Sequence, residues 1–327
     1  MKRIAAVLFS LTFITSLASA HDMKEVNKFL DKIETTMQAD SIITEPTVNY
    51  ALSQDRSKAD EYLDEIEGVD QTKSNEEMQV IEPAIKYSFE VSPEYYHFRY
   101  EEPGIDIKEE GDMFGVNLAV SGHSNINYLM GKLEARFSAG RVDYDGSLSD
   151  GTPHTDEGDD YSTEIRALIG RDFKKPNMVL TPFFGFGYRY LNDQLESQYA
   201  YEREISYLYS PLGVETLSPL GKSCEWGLKL EYDIFWSGVV KSHLSDVNVA
   251  FNDLRNEQHE GYGARASIFL RTNIGERLKF SLEPFFRYWN IQDSDDSLIT
   301  VSGTVVGVGR EPANNTQEFG IRASLIW

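Results

Sequence analysis

The last nine residues of the chain alternate between two kinds of side chain. The apolar set ends on an aromatic residue and comprises Phe319, Ile321, Ala323, Leu325 and Trp327. The intervening positions are mostly small or polar, and they are Gly320, Arg322, Ser324 and Ile326. A period of two is typical of a β-strand with one apolar and one polar face. The pattern therefore predicts a half-buried strand at the end of the chain.

The same alternation recurs in nine segments upstream. They are 84–100, 112–122, 128–143, 161–171, 178–191, 204–217, 224–239, 261–272 and 278–291. The segment 204–217 is the least regular, because its leucines and tyrosines compete for one face. Each segment is long enough for the ~9–11 tilted residues with which a strand crosses a bilayer. Ten such strands predict an all-β fold, a ten-stranded antiparallel up-and-down transmembrane β-barrel over 83–327.

The connections between these segments alternate in length. Short ones lie at 122–127, 172–177, 218–223 and 273–277, and long ones at 146–160, 192–203, 241–260 and 292–316. Bacterial outer-membrane barrels have short periplasmic turns and longer outer loops. An even strand number then places both ends of the barrel in the periplasm.

Aromatic residues cluster where the predicted strands end. They are Tyr95, Tyr96, Tyr100, Tyr188, Tyr190, Trp236, Tyr288, Trp289 and Trp327. Tyr and Trp favour the headgroup level of a bilayer, so these positions predict two aromatic girdles. The alternative is a soluble β-sandwich with scattered core aromatics, but a sandwich does not need Phe and Leu opposite so many charges.

The first 82 residues differ from the rest. Lys2 and Arg3, an apolar run and Ala18-Ser19-Ala20 predict a signal peptide over 1–20. Residues 21–82 mix two short helical patterns with polar sequence, which predicts a periplasmic extension, partly helical or disordered. This extension is either a loosely ordered leader or, alternatively, a plug or an arm to a partner.

Charge and cysteine content narrow the function. Without Lys2 and Arg3 the chain has 29 basic and 53 acidic residues, a net charge of −24. Such a charge argues against a nucleic-acid partner. The single cysteine, Cys224, allows no internal disulfide. Acidic loops at 150–160 and 293–296 could attract Ca²⁺, but they lack EF-hand spacing, so we predict no metal site and no cofactor.

An outward apolar face leaves the charged residues of the strands in the lumen. The predicted lumen set is Lys86, Lys132, Arg136, Arg166, Arg189, Lys229, Arg265, Arg271, Arg287 and Arg322 with Glu90, Glu134, Glu164, Glu231, Asp233 and Glu283. Charges confined in this way must pair or be hydrated. Ten strands enclose a narrow cylinder. The sequence therefore predicts a salt-bridged polar core and not a general diffusion pore.

Two motifs in the outer loops resemble catalytic sequences. Asp143-Tyr144-Asp145 lies where the third strand meets the second outer loop, and His243 and Asp246 lie in the fourth outer loop. In position and architecture this resembles the omptin family of surface proteases, which implies an endopeptidase with Asp143, Asp145 and His243 in its site. The residue two before His243 is Lys241, where omptins have Asp, so half of that motif is absent. His243-Leu244-Ser245 also resembles the His-x-Ser of outer-membrane lipid A deacylases.

The signal peptide, the ten alternating segments and the terminal Trp327 together resemble the small outer-membrane β-barrel proteins of Gram-negative bacteria. The resemblance implies insertion by the barrel assembly machinery through the C-terminal strand, and contact with outer-membrane lipid and lipopolysaccharide. We predict a non-enzymatic barrel with a structural, adhesive or envelope-interaction role through its acidic outer loops. The alternative is an omptin-like surface endopeptidase.

Overall fold

The computed structural model describes residues 85–147, 151–197 and 200–327. The predicted signal peptide and extension lie outside the described residues. Among the described residues, no helix is long and apolar enough to cross a membrane. The strands are β1 (Ile85–Glu102), β2 (Ile107–Ser124), β3 (Leu129–Ser147), β4 (Pro153–Arg171), β5 (Phe173–Lys175), β6 (Met178–Asp193), β7 (Arg203–Leu220), β8 (Cys224–Ser242), β9 (Leu254–Gln258), β10 (Gly261–Asn273), β11 (Lys279–Ile291), β12 (Ser297–Val301), β13 (Thr304–Gly309) and β14 (Asn314–Ile326).

Ten of these strands close into an antiparallel barrel. Its wall runs β1, β2, β3, β4, β6, β7, β8, β10, β11 and β14, and β14 pairs with β1. Trp327 extends this seam, because its backbone and that of Phe89 exchange hydrogen bonds of 2.9 and 3.1 Å. A closed sheet leaves no unpaired edge, which is what hydrocarbon surroundings require. The predicted ten-stranded barrel is confirmed.

The outer face of the barrel carries an apolar belt. Large exposed side chains of the belt include Phe114, Leu133, Phe137, Ile169, Phe184, Phe186, Leu212, Ile234, Ile268 and Phe319. Leu230, Phe286 and Ile321 also face outward, with 45, 39 and 44% of their surface exposed. A soluble sandwich would bury these three residues in a dry centre. The outward belt and polar interior are those of a transmembrane β-barrel.

Most of the predicted girdle residues face outward, but three do not. Tyr95, Trp236 and Trp327 are 42, 54 and 48% exposed. Tyr96, Tyr100 and Trp289 are each 1% exposed and lie inside the barrel. The prediction was wrong for these three, because neighbouring residues of a strand face opposite sides of the sheet. Their rings take part in the packing of the lumen.

β7 alternates regularly between the two faces, and its sequence pattern is weak because large side chains lie on both of them. A β-bulge lies opposite it, in β8. The register with β8 shifts between Leu208 and Tyr209, which pair with Ser237 and Phe235 respectively. Leu208 is 43% exposed on the belt, whereas Tyr209 is fully buried in the lumen. The unpaired Trp236 of β8 is the extra residue, and the facing of β8 switches beyond it.

The strands continue beyond the belt at the end of the barrel that carries the long connections. There β4 begins at Pro153, eight residues before the belt residue Tyr161. Two connections predicted as loops contain strands: β9 continues the wall beside β8, and β12 and β13 form a hairpin. The hairpin turns at Ser302 and Gly303, whose φ values are 51° and 81°. Two successive positive φ values are characteristic of a type I′ turn.

The belt predicts a depth-dependent cost for charge on β4. Ile165→Arg, on the outer face between Ala135 and Tyr188, should destabilise the barrel in lipid vesicles by about 2–4 kcal/mol, as expected at a bilayer midplane. The control Asp159→Arg changes the same face above the belt and should have little effect. Urea unfolding of the vesicle-inserted protein measures both, and equal effects would contradict the assignment of the belt.

Candidate functional site

Two buried carboxylates at the centre of the lumen accept hydrogen bonds from several arginines. Glu318 of β14 accepts hydrogen bonds of 2.9 Å from three guanidinium groups, those of Arg136, Arg189 and Arg287. Glu94 of β1 also accepts from Arg136, and from Arg322 at 2.8 Å. Both acids are more than nine-tenths buried. The network ties β1, β3, β6, β11 and β14 together across the barrel.

A second group of ion pairs lies beside the first. Arg265 of β10 makes a bidentate contact with Glu164 of β4 at 2.6 and 2.8 Å, and its Nε lies 2.6 Å from Asp233. Arg166 bridges Glu231 at 2.5 Å and Glu134 at 3.1 Å. The planar guanidinium suits such bridging, because its donors form a fixed fork. Most of these acids and arginines were predicted for the lumen from strand alternation.

Aromatic rings close the spaces between the ion pairs. The guanidinium of Arg265 lies 5.3 Å from the ring centre of Tyr209 and 5.7 Å from that of Trp289. Arg136 stacks over Tyr96 at 4.6 Å. These cation–π contacts fill the lumen, where a cavity of about 40 Å³ remains among the charged side chains. That volume holds one or a few water molecules and is far below what a diffusion channel requires.

Glu94 and Glu318 were missed by the sequence analysis. With them, the ion pairs described in the lumen join eight cationic side chains to seven carboxylates. Glu94 follows Pro93 in the predicted first strand, and Glu318 directly precedes the alternating C-terminal segment. The same alternation, continued by two or three residues, assigns both to the inner face.

The mouth of the barrel, beyond the belt, holds a cluster with a different charge balance. Nη1 of Arg203 lies 3.7 Å from Glu109 Oε1 and 3.4 Å from Asp193 Oδ2. Its Nη2 lies 3.1 Å from Glu102 Oε1 and also donates to Glu311. One cation therefore serves four carboxylates, which come from β1, β2, β6 and the segment before β14. We call these five side chains the mouth cluster.

A cavity of about 760 Å³ opens onto the mouth cluster. All five members line it, together with His154 and Tyr144 and apolar residues of the outer connections. The apolar members include Ile105, Ile107, Leu195, Leu244, Val247, Phe251, Ile299 and Val306. The volume lies in the range of small-molecule sites, and the combination of apolar walls with a few polar groups is typical of them.

Burial changes the acidity of the mouth cluster. Burial raises the pKa of Glu109 well above its usual value, and the charge of Asp193 raises it further against the lowering by Arg203. Burial likewise raises the pKa of Asp193 to about 6, although the charge of Arg203 opposes the shift. The pKa of Glu102 shifts in the same direction for the same cause. The carboxylates are held close together in a site where one guanidinium does not balance them.

The residues predicted for an endopeptidase lie on different elements of the barrel. Asp143 and Asp145 are exposed on the outer face of β3, while the intervening Tyr144 lines the mouth cavity. The contacts of His243 are with other acids, and none described joins it to Asp143 or Asp145: its Nε2 lies 2.9 Å from Glu204 Oε1 and its Nδ1 3.6 Å from Asp253 Oδ2. The convergence of these residues on a catalytic groove stays a prediction.

Glu204 and Asp253 were not predicted as partners of His243. Glu204 lies 39 positions away, and Asp253, ten positions away, falls outside the short motifs around His243. Burial lowers the pKa of His243, but the hydrogen bond and charge of Glu204 outweigh it, so the pKa is raised. Asp246 accepts a hydrogen bond of 3.2 Å from the backbone of Glu202. Ser245, the serine of the His-x-Ser motif, donates to Asp253 at 2.7 Å.

Comparisons with known proteins give a likeness of fold. No family model matches the sequence, and no curated protein matches it significantly. Among solved structures, the outer membrane protease OmpT from Escherichia coli has a TM-score of 0.49 and 10% identity over 74% of this chain and 96% of its own. A major outer membrane protein from Thermus thermophilus has a TM-score of 0.33 and 12% identity over 74% and 100%. The strand count and the apolar belt described above do not depend on these likenesses.

We predict that removal of one carboxylate from the lumen network strongly destabilises the barrel. Glu318→Gln leaves three buried arginines without their shared anion and should destabilise the barrel by about 3–5 kcal/mol. The control Glu157→Gln breaks an exposed pair with Arg141 and should cause no measurable change. Guanidinium unfolding in detergent micelles compares the two. A Glu318→Gln variant that is as stable as the wild type would mean that the network does not stabilise the barrel.

The mouth cluster predicts a pH effect on stability. The folded pKa of Asp193, about 6, lies above the unfolded value of ~3.9. Its favourable contribution is therefore complete below ~pH 4 and is lost as the pH rises through about 6. Between pH 5 and pH 7 the urea midpoint of the wild type should fall.

Asp193→Asn removes this titration and is the matched test. The variant should show a flatter pH profile and a higher midpoint than wild type at pH 7. The raised pKa of His243 acts in the same direction, so His243→Gln is measured alongside to separate the two groups. A wild-type midpoint that rises between pH 5 and pH 7 would refute the interpretation.

Proposed function

We propose that this chain is an outer-membrane barrel that acts at the cell surface by binding, in an adhesive or envelope-interaction role, and not as a general diffusion porin. The observation that carries the proposal is the contrast in charge pairing between the lumen and the mouth. The lumen is closed by ion pairs at Glu94 and Glu318, while the mouth presents an open cavity onto unbalanced carboxylates. A sealed barrel with a formed outer cavity has its working surface outside the membrane.

Insertion and lipid contacts fit the same proposal. Trp327 lies outward at the seam, with its ring centre 5.8 Å from that of Phe89, which supports recognition of the C-terminal strand by the barrel assembly machinery. Above the belt, Arg99, Lys108 and Arg141 lie on the outer face of adjacent strands. Each of them forms an ion pair with a nearby acid, Glu101, Glu110 and Glu157 respectively. Contact with lipopolysaccharide would therefore use divalent cations that bridge such acids to its phosphates, with both termini on the periplasmic side.

Planar-bilayer recording tests the sealed lumen. The refolded wild type should give no large, steady open channels, because charged and aromatic side chains fill the lumen. The variant Arg265→Ser/Trp289→Ala removes two of the filling groups and should raise the frequency of small openings. Heat-modifiable migration on gels confirms that each protein has folded. Steady wild-type channels of porin size would overturn the proposal.

The endopeptidase alternative makes a different prediction on the same preparation. A surface protease should cleave basic peptides when refolded with lipopolysaccharide, and His243→Ala should abolish cleavage. A binding protein should release no fragments, with or without His243. Cleavage that depends on His243 would replace the binding proposal.

A further inference from the structure

The mouth cluster contains more hydrogen-bond acceptors than donors. Each of its four carboxylates carries two oxygens, and in the ionised form, which a bound cation would favour over the raised pKa values, a carboxylate can only accept. Arg203 and the Tyr100 hydroxyl supply donors to Glu102 and Glu311; the hydroxyl lies 2.7 and 3.1 Å from their oxygens. Glu102 and Glu311 therefore have donors near Nη2. The carboxylates that are short of donors, Glu109 and Asp193, lie on the Nη1 side of the guanidinium.

Part of the deficit lies on two carboxylates of the cluster; both oxygens of the nearby Asp160, which does not line the cavity, are also buried without a partner among the described residues. Glu109 Oε1 and Asp193 Oδ1 are buried without a hydrogen-bond partner among the described residues. Each of the two residues is only 2% exposed, and both line the mouth cavity. A buried carboxylate oxygen without a donor is costly. A donor that enters from the cavity between Glu109 and Asp193 would remove this cost.

The arrangement favours nitrogen donors over a metal ion. Among the described residues, no group of three or more His, Cys, Asp or Glu side chains is placed to hold a metal. A metal needs its oxygen ligands converged on one point, at about 2.0–2.6 Å. An ammonium or guanidinium group instead directs separate N–H bonds to separate acceptors. Acceptors on two different strands, β2 and β6, suit the second geometry.

The cavity also provides for an apolar part of the ligand. Ile105, which is 51% exposed, and Val306, which is 57% exposed, lie on two different outer connections and both line it. Val247 and Phe251 add a third apolar wall. Apolar side chains exposed beside buried carboxylates gain most from a ligand that carries a cation at one end and hydrocarbon at the other.

We propose that the mouth cavity binds a small organic cation, a primary amine or guanidine with an apolar body. Its N–H groups donate to Glu109 and Asp193, and the apolar walls cover its body. The assignment rests on the proposed function in one respect, that the cavity faces outward at the cell surface. The exposed loop acids supply a negative field that draws cations toward the mouth.

Isothermal titration of the full chain in phosphatidylcholine nanodiscs tests the site with phenethylamine. The wild type should bind it saturably, and the isosteric neutral phenethyl alcohol should bind at least about tenfold more weakly, because it lacks the charge. The double variant Glu109→Gln/Asp193→Asn should lower the affinity for phenethylamine by about tenfold or more. Both substitutions keep the side-chain shape, and heat-modifiable migration on gels checks that the variant has folded.

Controls separate the site from its alternatives. Glu260→Gln removes one exposed acid outside the cavity and should leave binding unchanged, while empty nanodiscs correct for partition into lipid. Equal binding by wild type and double variant, or binding of Ca²⁺ alone, would overturn the assignment. A barrel that binds the amine yet conducts steadily would refute the proposed function but retain the site. A barrel that does not conduct and binds no amine would refute the site but retain the proposed function.

Discussion

The structure depends on charge pairing inside a narrow cylinder that is surrounded by hydrocarbon. Strand alternation sends apolar side chains outward, and the same alternation forces the polar ones inward. In so small a lumen each charge must find a partner, since an unpaired buried ion costs several kcal/mol. Glu94 and Glu318 meet this requirement by accepting from several arginines each. Arginine suits the task better than lysine, because its fork can bridge two carboxylates at once.

The mouth cluster departs from this pairing of buried charges. The lumen is nearly balanced in charge, whereas Arg203 faces four carboxylates alone. A group of carboxylates held around a single cation at the wall of a cavity is a candidate functional site. The imbalance coincides with a cavity large enough for a ligand, so the geometry and the electrostatics identify the same place.

Much of the fold could be predicted from the sequence, because a period of two is a local signal. The ten strands, the outward belt and a paired lumen all follow from it. The one weak segment, β7, carries large side chains on both faces, with Leu208 outside and Tyr209 inside. The mouth cluster could not be found in this way. Glu102, Glu109, Asp193, Arg203 and Glu311 are separated by up to 209 positions in the sequence, and only barrel closure brings them together. The contact of His243 with Glu204 also depends on strand pairing, and the resemblance to omptins pointed only to residues next to His243 in the sequence.

The height of the mouth cluster explains why its imbalance is tolerated. The strands extend well past the belt, so Glu109 lies five residues beyond the belt residue Phe114. At that level the barrel wall is bathed in water on its outer side, and the cavity admits solvent from above. The dielectric response there is stronger than at the level of Glu318, where hydrocarbon surrounds the wall. Four carboxylates around one guanidinium would cost too much free energy at the depth of the lumen network, but this cost is smaller beyond the belt. The extra strand length is therefore what allows one barrel to combine an ion-paired interior with an acidic cavity beyond the belt.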